Sequence, residues 1–225
     1  MNMGERLMRE IETFWNESKS NHSFFKGIIG ERMDPSILST FVSNTEYIVG
    51  LTPVHLDIAR KEANESGDQA LADYFALKIA EESGHDKWAQ EDIKKLELKG
   101  ASQANLQHLE SMKEIARYNE ALIKKDPYQY LVYILFTEYF TVIAADECFS
   151  GLGTHSNISK DDLTVISKHA ELDKEHVGEF RETFSSLPQN RMPSEESLRK
   201  TLHDIFKLYQ SFWTELMNGS ERSAA

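Results

Sequence analysis

The sequence predicts an all-α protein, a single domain of about seven helices over residues 1–225. Three observations carry that prediction. Apolar residues recur at helical spacing along the whole chain, and no stretch shows the alternation of a half-buried strand. Two Asp-Pro pairs, Asp34-Pro35 and Asp126-Pro127, combine an N-cap acceptor with the fixed φ that suits a first helical position. At 225 residues the chain is long enough to bury one substantial core, and it shows no fixed-period repeat or low-complexity block.

Met3 to Ser18 reads as a first amphipathic helix, with Leu7, Ile11 and Trp15 on one stripe. Asn21 to Glu31 reads as a loop or short turn. Asp34-Pro35 opens a helix through Glu46 and Tyr47, which Pro53 breaks or kinks before it resumes to about Ala63. Glu65 to Asp68 is a loop. One helix is expected from about Gln69 to Leu98, ending near Gly100, with Leu71, Phe75, Ile79, Glu82, Ala89, Ile93 and Leu96 facing inward. A mostly solvated helix follows from about Ser102 to Lys125, apolar only at Leu106, Leu109, Ile115 and Leu122. Asp126-Pro127 opens the most apolar helix, which should stop before Gly151, with Gly151 to Asn157 as a loop. Ser159, with Asp162 three residues on, can cap the next helix. Ser185 to Pro193 is a linker, Ser194 opens a last helix to about Asn218, and the tail from about 219 should fray.

Charge and cysteine content narrow the function. A net charge of −12 argues against a nucleic-acid or anionic-membrane partner, although plain solubility accounts for the acidity as well; a small-molecule substrate is the expectation from the motifs and resemblance below. Cys148 is the only cysteine, so no disulfide forms within the chain, as expected for a reducing, cytoplasmic setting. Met1 to Ser18 is charged throughout and lacks the apolar core of a signal peptide. The longest apolar run, Tyr130 to Ala145, is too short to span a membrane and carries Glu138.

The chemistry concentrates in three places. His169-Ala-Glu-Leu-Asp-Lys-Glu-His176 puts His169, Asp173 and His176 at i, i+4 and i+7. At about 100° per residue they fall within a stripe roughly 60° wide, three metal-ligand types aimed one way. The competing reading is a solvated face, since Glu171, Lys174, Glu175 and Glu179 lie nearby. Glu138 is the only charged residue between Asp126 and Asp146. Such a carboxylate needs a partner, and a bound cation is the simplest one. A buried salt bridge or hydrogen bonds from tyrosines are the alternatives, with no arginine evidently assigned. Glu82-Ser-Gly-His85 has the Glu-x-x-His spacing of carboxylate-bridged di-iron bundles, with Glu81 as an alternative to Glu82. Glu82, His85, Glu138, His169, Asp173 and His176 together offer oxygen and imidazole donors without thiolate. That set suits iron or manganese better than structural zinc.

These motifs resemble the haem-oxygenase-like di-metal oxidases and oxygenases, relatives of the thiaminase-II and PQQ-synthesis proteins. The resemblance covers roughly residues 44–180, and His169-x-x-x-Asp173-x-x-His176 is its most specific part. It implies a haem-oxygenase-like bundle of seven helices and a non-haem di-iron centre that uses O2 as co-substrate. Glu138 then sits at the heart of the chemistry, and an external electron donor is compatible with it. Members N-oxygenate amines, or cleave or decarboxylate amino and fatty acids. One branch makes p-aminobenzoate from its own side chains and has a lysine ten residues after the middle glutamate; here Cys148 stands there.

Competing expectations are a metal-free thiaminase-like enzyme using Cys148 or a carboxylate, and a non-enzymatic helical binding module. Cys148 alone reads as a small apolar packer. Glu46 and Tyr47 read as core-edge residues or as support for the pocket. Trp15, Trp88 and Trp213 read as core or groove residues. His22, His55, His108, His155 and His203 lack ligand spacing and read as surface or capping residues, and a carboxylate-rich interior argues against haem. A homodimer is the default expectation for assembly.

Overall fold

Each helix begins where the chain can satisfy its first N–H groups. The computed structural model describes residues 2–101, 108–188 and 190–223, and these form nine α-helices and a 3-10 turn. Helix α1 (Met3–Asn21) opens with a capping box between Asn2 and Glu5, and Leu7, Ile11 and Trp15 face the core as expected. The expected loop after it is instead helix α2 (Ser23–Gly30). His22 caps it by accepting from Phe24 N at 3.2 Å, and Phe24, Phe25 and Ile28 all bury.

Helix α3 (Pro35–Glu65) starts at the Asp34 cap but runs through Pro53 without a break. The lost hydrogen bond is local, and α3 is held along its length by α4, α5 and α6. The helix expected from Gln69 to Leu98 is two: α4 (Gln69–Glu82) and α5 (Asp86–Leu98). Gly84, at φ +90°, turns the chain between them in a conformation other residues rarely adopt. Helix α6 is described from Glu110 to Lys125, and the expected start at Ser102, with Leu106, lies outside the described residues. It is less solvated than expected: Met112, Ala116, Asn119 and Ile123 are buried as well as Ile115 and Leu122, because α3, α7 and α9 surround it.

Helix α7 (Pro127–His155) continues through Gly151 into the expected loop. A Cβ at Gly151 would lie 2.4 Å from the Ile28 carbonyl oxygen, so glycine lets α2 cross closely there. Ser159 and Asp162 do form a capping box, but over the 3-10 turn Lys160–Asp162. Helix α8 (Thr164–Ser186) is capped from outside. Asp92 of α5, fully buried, accepts from Val165 N at 2.7 Å and from Thr164 Oγ1 at 2.6 Å. Helix α9 (Glu195–Ser223) runs past the expected end at Asn218, and residues 224–225 of the tail lie outside the described residues.

α7 packs on α1, α2, α6, α8 and α9, and α3 on α4, α5, α6 and α9, so these two long helices form the centre of the bundle. No helix among the described residues is long and apolar enough to cross a membrane.

Candidate metal centre

Three elements aim polar side chains at one point in the interior. Helix α4 contributes Lys78, Glu81 and Glu82, and the turn after it contributes His85. Glu138 comes from the middle of α7, and His169, Asp173, His176 and Glu179 come from one face of α8. Of the six side chains expected to converge, Glu82, His85, Glu138, His169 and His176 fall into shared groups, and Asp173 joins them through His176. Glu82 and His85 meet across the Gly84 turn rather than along one helix, with His85 Nδ1 3.3 Å from Glu82 Oε2. His169 Nε2 lies 3.6 Å from that same oxygen and 3.3 Å from His85 Nδ1. His176 Nδ1 lies 3.2 Å from Asp173 Oδ1 and 3.7 Å from Glu138 Oε1.

The surroundings fix how these groups point. His169 Nδ1–H donates to the Val165 carbonyl at 2.6 Å, which turns Nε2 toward Glu82 and His85. The Val165 N–H is itself held by Asp92, so the start of α8 and its first histidine are fixed by one network. The ring of Trp88 stacks on His85 at 4.1 Å.

Lys78 is the residue that sequence reasoning missed. Its side chain is 1% exposed, and Nζ lies 3.1 Å from Glu81, 3.2 Å from Glu138 and 3.4 Å from Glu179. The salt bridge considered for Glu138 is therefore present, from lysine rather than arginine. The signal was available: Leu71, Phe75, Lys78 and Glu82 share one helical stripe. Glu179, which favoured the competing reading of a solvated face, is half-buried and turns inward to His176 and Glu81. Glu81 and Glu82 both take part, Glu81 Oε2 lying 3.6 Å from His176 Nε2.

Crowding sets the ionisation of the cluster. Burial pushes the Glu138 carboxyl up to about 8, with Asp173 adding to the shift and Lys78 and His176 opposing it. Burial works against charge on Glu82 too, but hydrogen bonds from His169 and His85 hold it well below the usual carboxylate range. Burial also opposes charge on His169, yet Glu82 and Asp173 outweigh it and lift the imidazole to about 8. Asp173 is raised by burial, and His176 is raised by its hydrogen bond with Asp173.

This donor set fits divalent cations. Glu82, His85 and His169 form one group with ligand atoms within 4.8 Å of one another; Glu82, Glu138 and His176 form a second, and Glu81, His176 and Glu179 a third. Five carboxyl groups share the cluster with one ammonium and three imidazoles. Glu138 Oε2 is enclosed without a hydrogen-bond partner, an arrangement that costs free energy unless a cation or proton meets it. Beside the cluster lies a cavity of about 230 Å³ with Lys78, Glu82, Glu138, His169 and Asp173 in its wall. The rest of the wall is mainly aliphatic and aromatic, from Phe24, Leu38, Ile48, Phe136 and Phe212 among others.

The other expectations sort themselves around this site. Cys148 lines the cavity, but burial pushes its thiol up to about 12. Glu46 accepts from Gln90 at 3.0 Å and Tyr47 stands against His108, so both belong to the bundle edge. His55, expected as a surface or capping residue, is 1% exposed, and its Nε2 has no hydrogen-bond partner. His22 caps α2 and His203 pairs with Glu10 at 2.7 Å. Trp15 and Trp213 are core residues.

No family model matches the chain, and no curated protein matches it in sequence. Solved structures do. A domain of unknown function with a haem-oxygenase-like fold, from Shewanella denitrificans OS217, superposes with a TM-score of 0.85 at 13% identity, covering 100% of this chain and 96% of that one. A CADD-like protein of unknown function from Nostoc punctiforme PCC 73102 gives a TM-score of 0.62 at 16% identity, covering 94% of this chain and 97% of that one. A second structure of that protein gives 0.62 at 15% identity over 97% of each chain. The chain has a haem-oxygenase-like all-α fold.

Proposed function

We propose that this protein is an O2-dependent non-haem oxidase or oxygenase. In it Glu82, His85, Glu138, His169, Asp173 and His176 hold two divalent ions, iron foremost and manganese as the alternative. The observation that carries this reading is the cluster of carboxylates and imidazoles set into the wall of an apolar cavity. Redox-active iron, when bound there, supplies the activation of dioxygen. The chain supplies ligands, orientation and a dry chamber. Asp92 and Val165 hold His169 in one orientation. Before an ion binds, burial pushes the Glu138 carboxyl up to about 8, so it can hold a proton beside the cavity.

The cavity also limits the substrate. The hydroxyls of Thr45, Thr52, Thr137 and Thr141 each donate to a carbonyl of their own helix, so they add little free polarity to the wall. The Lys78 ammonium already stands among three carboxylates at 3.1–3.4 Å. A free amino acid would bury two charges with no spare partner outside the cluster. A molecule with an apolar body and one polar end, such as a fatty acid or an apolar amine, fits the space better.

A metal-free nucleophilic mechanism is disfavoured, because a thiol held near 12 stays protonated at neutral pH. The test is O2 uptake by iron-loaded protein against a panel of fatty acids, amines and amino acids. Cys148→Ser should keep substrate-stimulated uptake, and Glu138→Ala should lose it by at least about a hundredfold. An inactive Cys148→Ser beside an active Glu138→Ala would replace this reading with the nucleophilic one.

A further inference from the structure

The cluster is uneven, and Lys78 makes it so. The group of Glu82, His85 and His169 has no contact with the ammonium among its ion pairs. The other two groups each contain carboxylates that Lys78 already holds: Glu138 in one, Glu81 and Glu179 in the other. Three carboxylate oxygens thus lie 3.1–3.4 Å from one ammonium, which compensates their charge where it stands. The ammonium is also 1% exposed, so it cannot turn to water without a rearrangement of α4.

Resting on the metal reading above, we infer that Lys78 is a resident cation occupying the place of one divalent ion, so that the cluster loads in two unequal steps. The first ion binds at Glu82, His85 and His169, where no ammonium has to be displaced. The second needs the oxygens of Glu138 and its neighbours, and it meets a like charge within bonding distance of the same atoms. Its binding free energy is reduced by the cost of stripping an ammonium of its carboxylate partners in a buried setting. Lys78 thereby also keeps the carboxylate-rich interior folded before any ion arrives.

Mn(II) titration tests this, followed by the EPR signal of the free ion and by melting temperature. The wild type should bind one Mn(II) tightly and a second at least about tenfold more weakly. Lys78→Met should lower the second Kd at least about tenfold, and Lys78→Arg, which keeps the charge, should leave it weak. Metal-free Lys78→Met should melt below the wild type and regain more of its Tm on adding Mn(II). Lys78→Gln gives the same readouts should the methionine variant fail to fold. An unchanged second Kd in both neutral variants, or a Lys78→Arg that gains as much as Lys78→Met, overturns the inference and leaves the metal reading standing. Absence of Mn(II) binding by every protein, wild type included, overturns the metal reading itself.

Discussion

Glu82 and Glu138 belong to one cluster and shift in opposite directions, because burial dominates at Glu138, while at Glu82 hydrogen bonds from two imidazoles outweigh it. A carboxyl raised on folding contributes stability that is complete below its unfolded value and is lost as pH rises through its folded one. For Glu138 that window runs from 4.5 to about 8. His169, raised from 6.5 to about 8, loses its contribution in the upper part of the same window. Metal-free protein should therefore melt at lower temperature as pH rises toward 8, and Glu138→Gln should flatten that fall, a difference of up to a few kcal/mol. Divalent-ion affinity should rise over the same window, since ligands bind as their protons leave. A metal-free Tm that climbs between about pH 6 and pH 8 contradicts this account of the cluster. Glu138 was legible in the sequence because it stands alone in an apolar run. Lys78 was not, because it lies close to Glu81 and Glu82 and reads as part of a solvated charge run unless its helical stripe is followed.

Helix α8 carries three of the proposed ligands yet lacks a cap of its own, since Leu163 offers no side-chain acceptor. Asp92 substitutes from α5 and ties the helix bearing His169 to the one that His85 begins. Asp92→Ala should cost about 1–2 kcal/mol, as loss of a helix cap does. Hydrogen exchange should speed up over Thr164 to His169, and Mn(II) should restore protection in the wild type more than in the variant. Equal exchange in both proteins would argue that packing alone holds α8. The periodicity of α8 could be read from the chain, and so could the Asp-Pro starts of α3 and α7. Its external cap could not, because Asp92 and Val165 are distant in sequence and only the fold brings them together. The break at Gly84 was obscured by apolar periodicity continuing on both sides of it. The continuation of α7 through Gly151 reflects a close crossing by α2 that no local signal encodes. Gly151→Ala should destabilise by about 1–3 kcal/mol through that contact, measurable by denaturant unfolding.

At the scale of the whole molecule, the bundle wraps an apolar chamber and sets charge into one part of its wall. The helical class was legible from periodicity alone, since nearly every buried stripe repeats at helical spacing. The chamber was not, because its shape depends on how side chains from α2, α3, α7 and α9 meet. Ala144 and Ala145 line it and are buried, so Ala145→Phe should fill space that a substrate needs. Metal content should stay unchanged while O2 uptake with long apolar substrates falls at least about tenfold. Parallel loss of metal would place Ala145 in the architecture of the cluster instead. The central claim is that the cluster binds divalent ions. Anaerobic Fe(II) titration of the wild type, His169→Ala and Asp173→Ala, read by iron stoichiometry and then by optical spectra on admitting O2, tests it most directly. The account predicts up to two Fe(II) per chain in the wild type, at least one fewer in each variant, and an O2-dependent spectral change that the variants lack. Equal iron uptake by all three proteins, or none by the wild type, would contradict it.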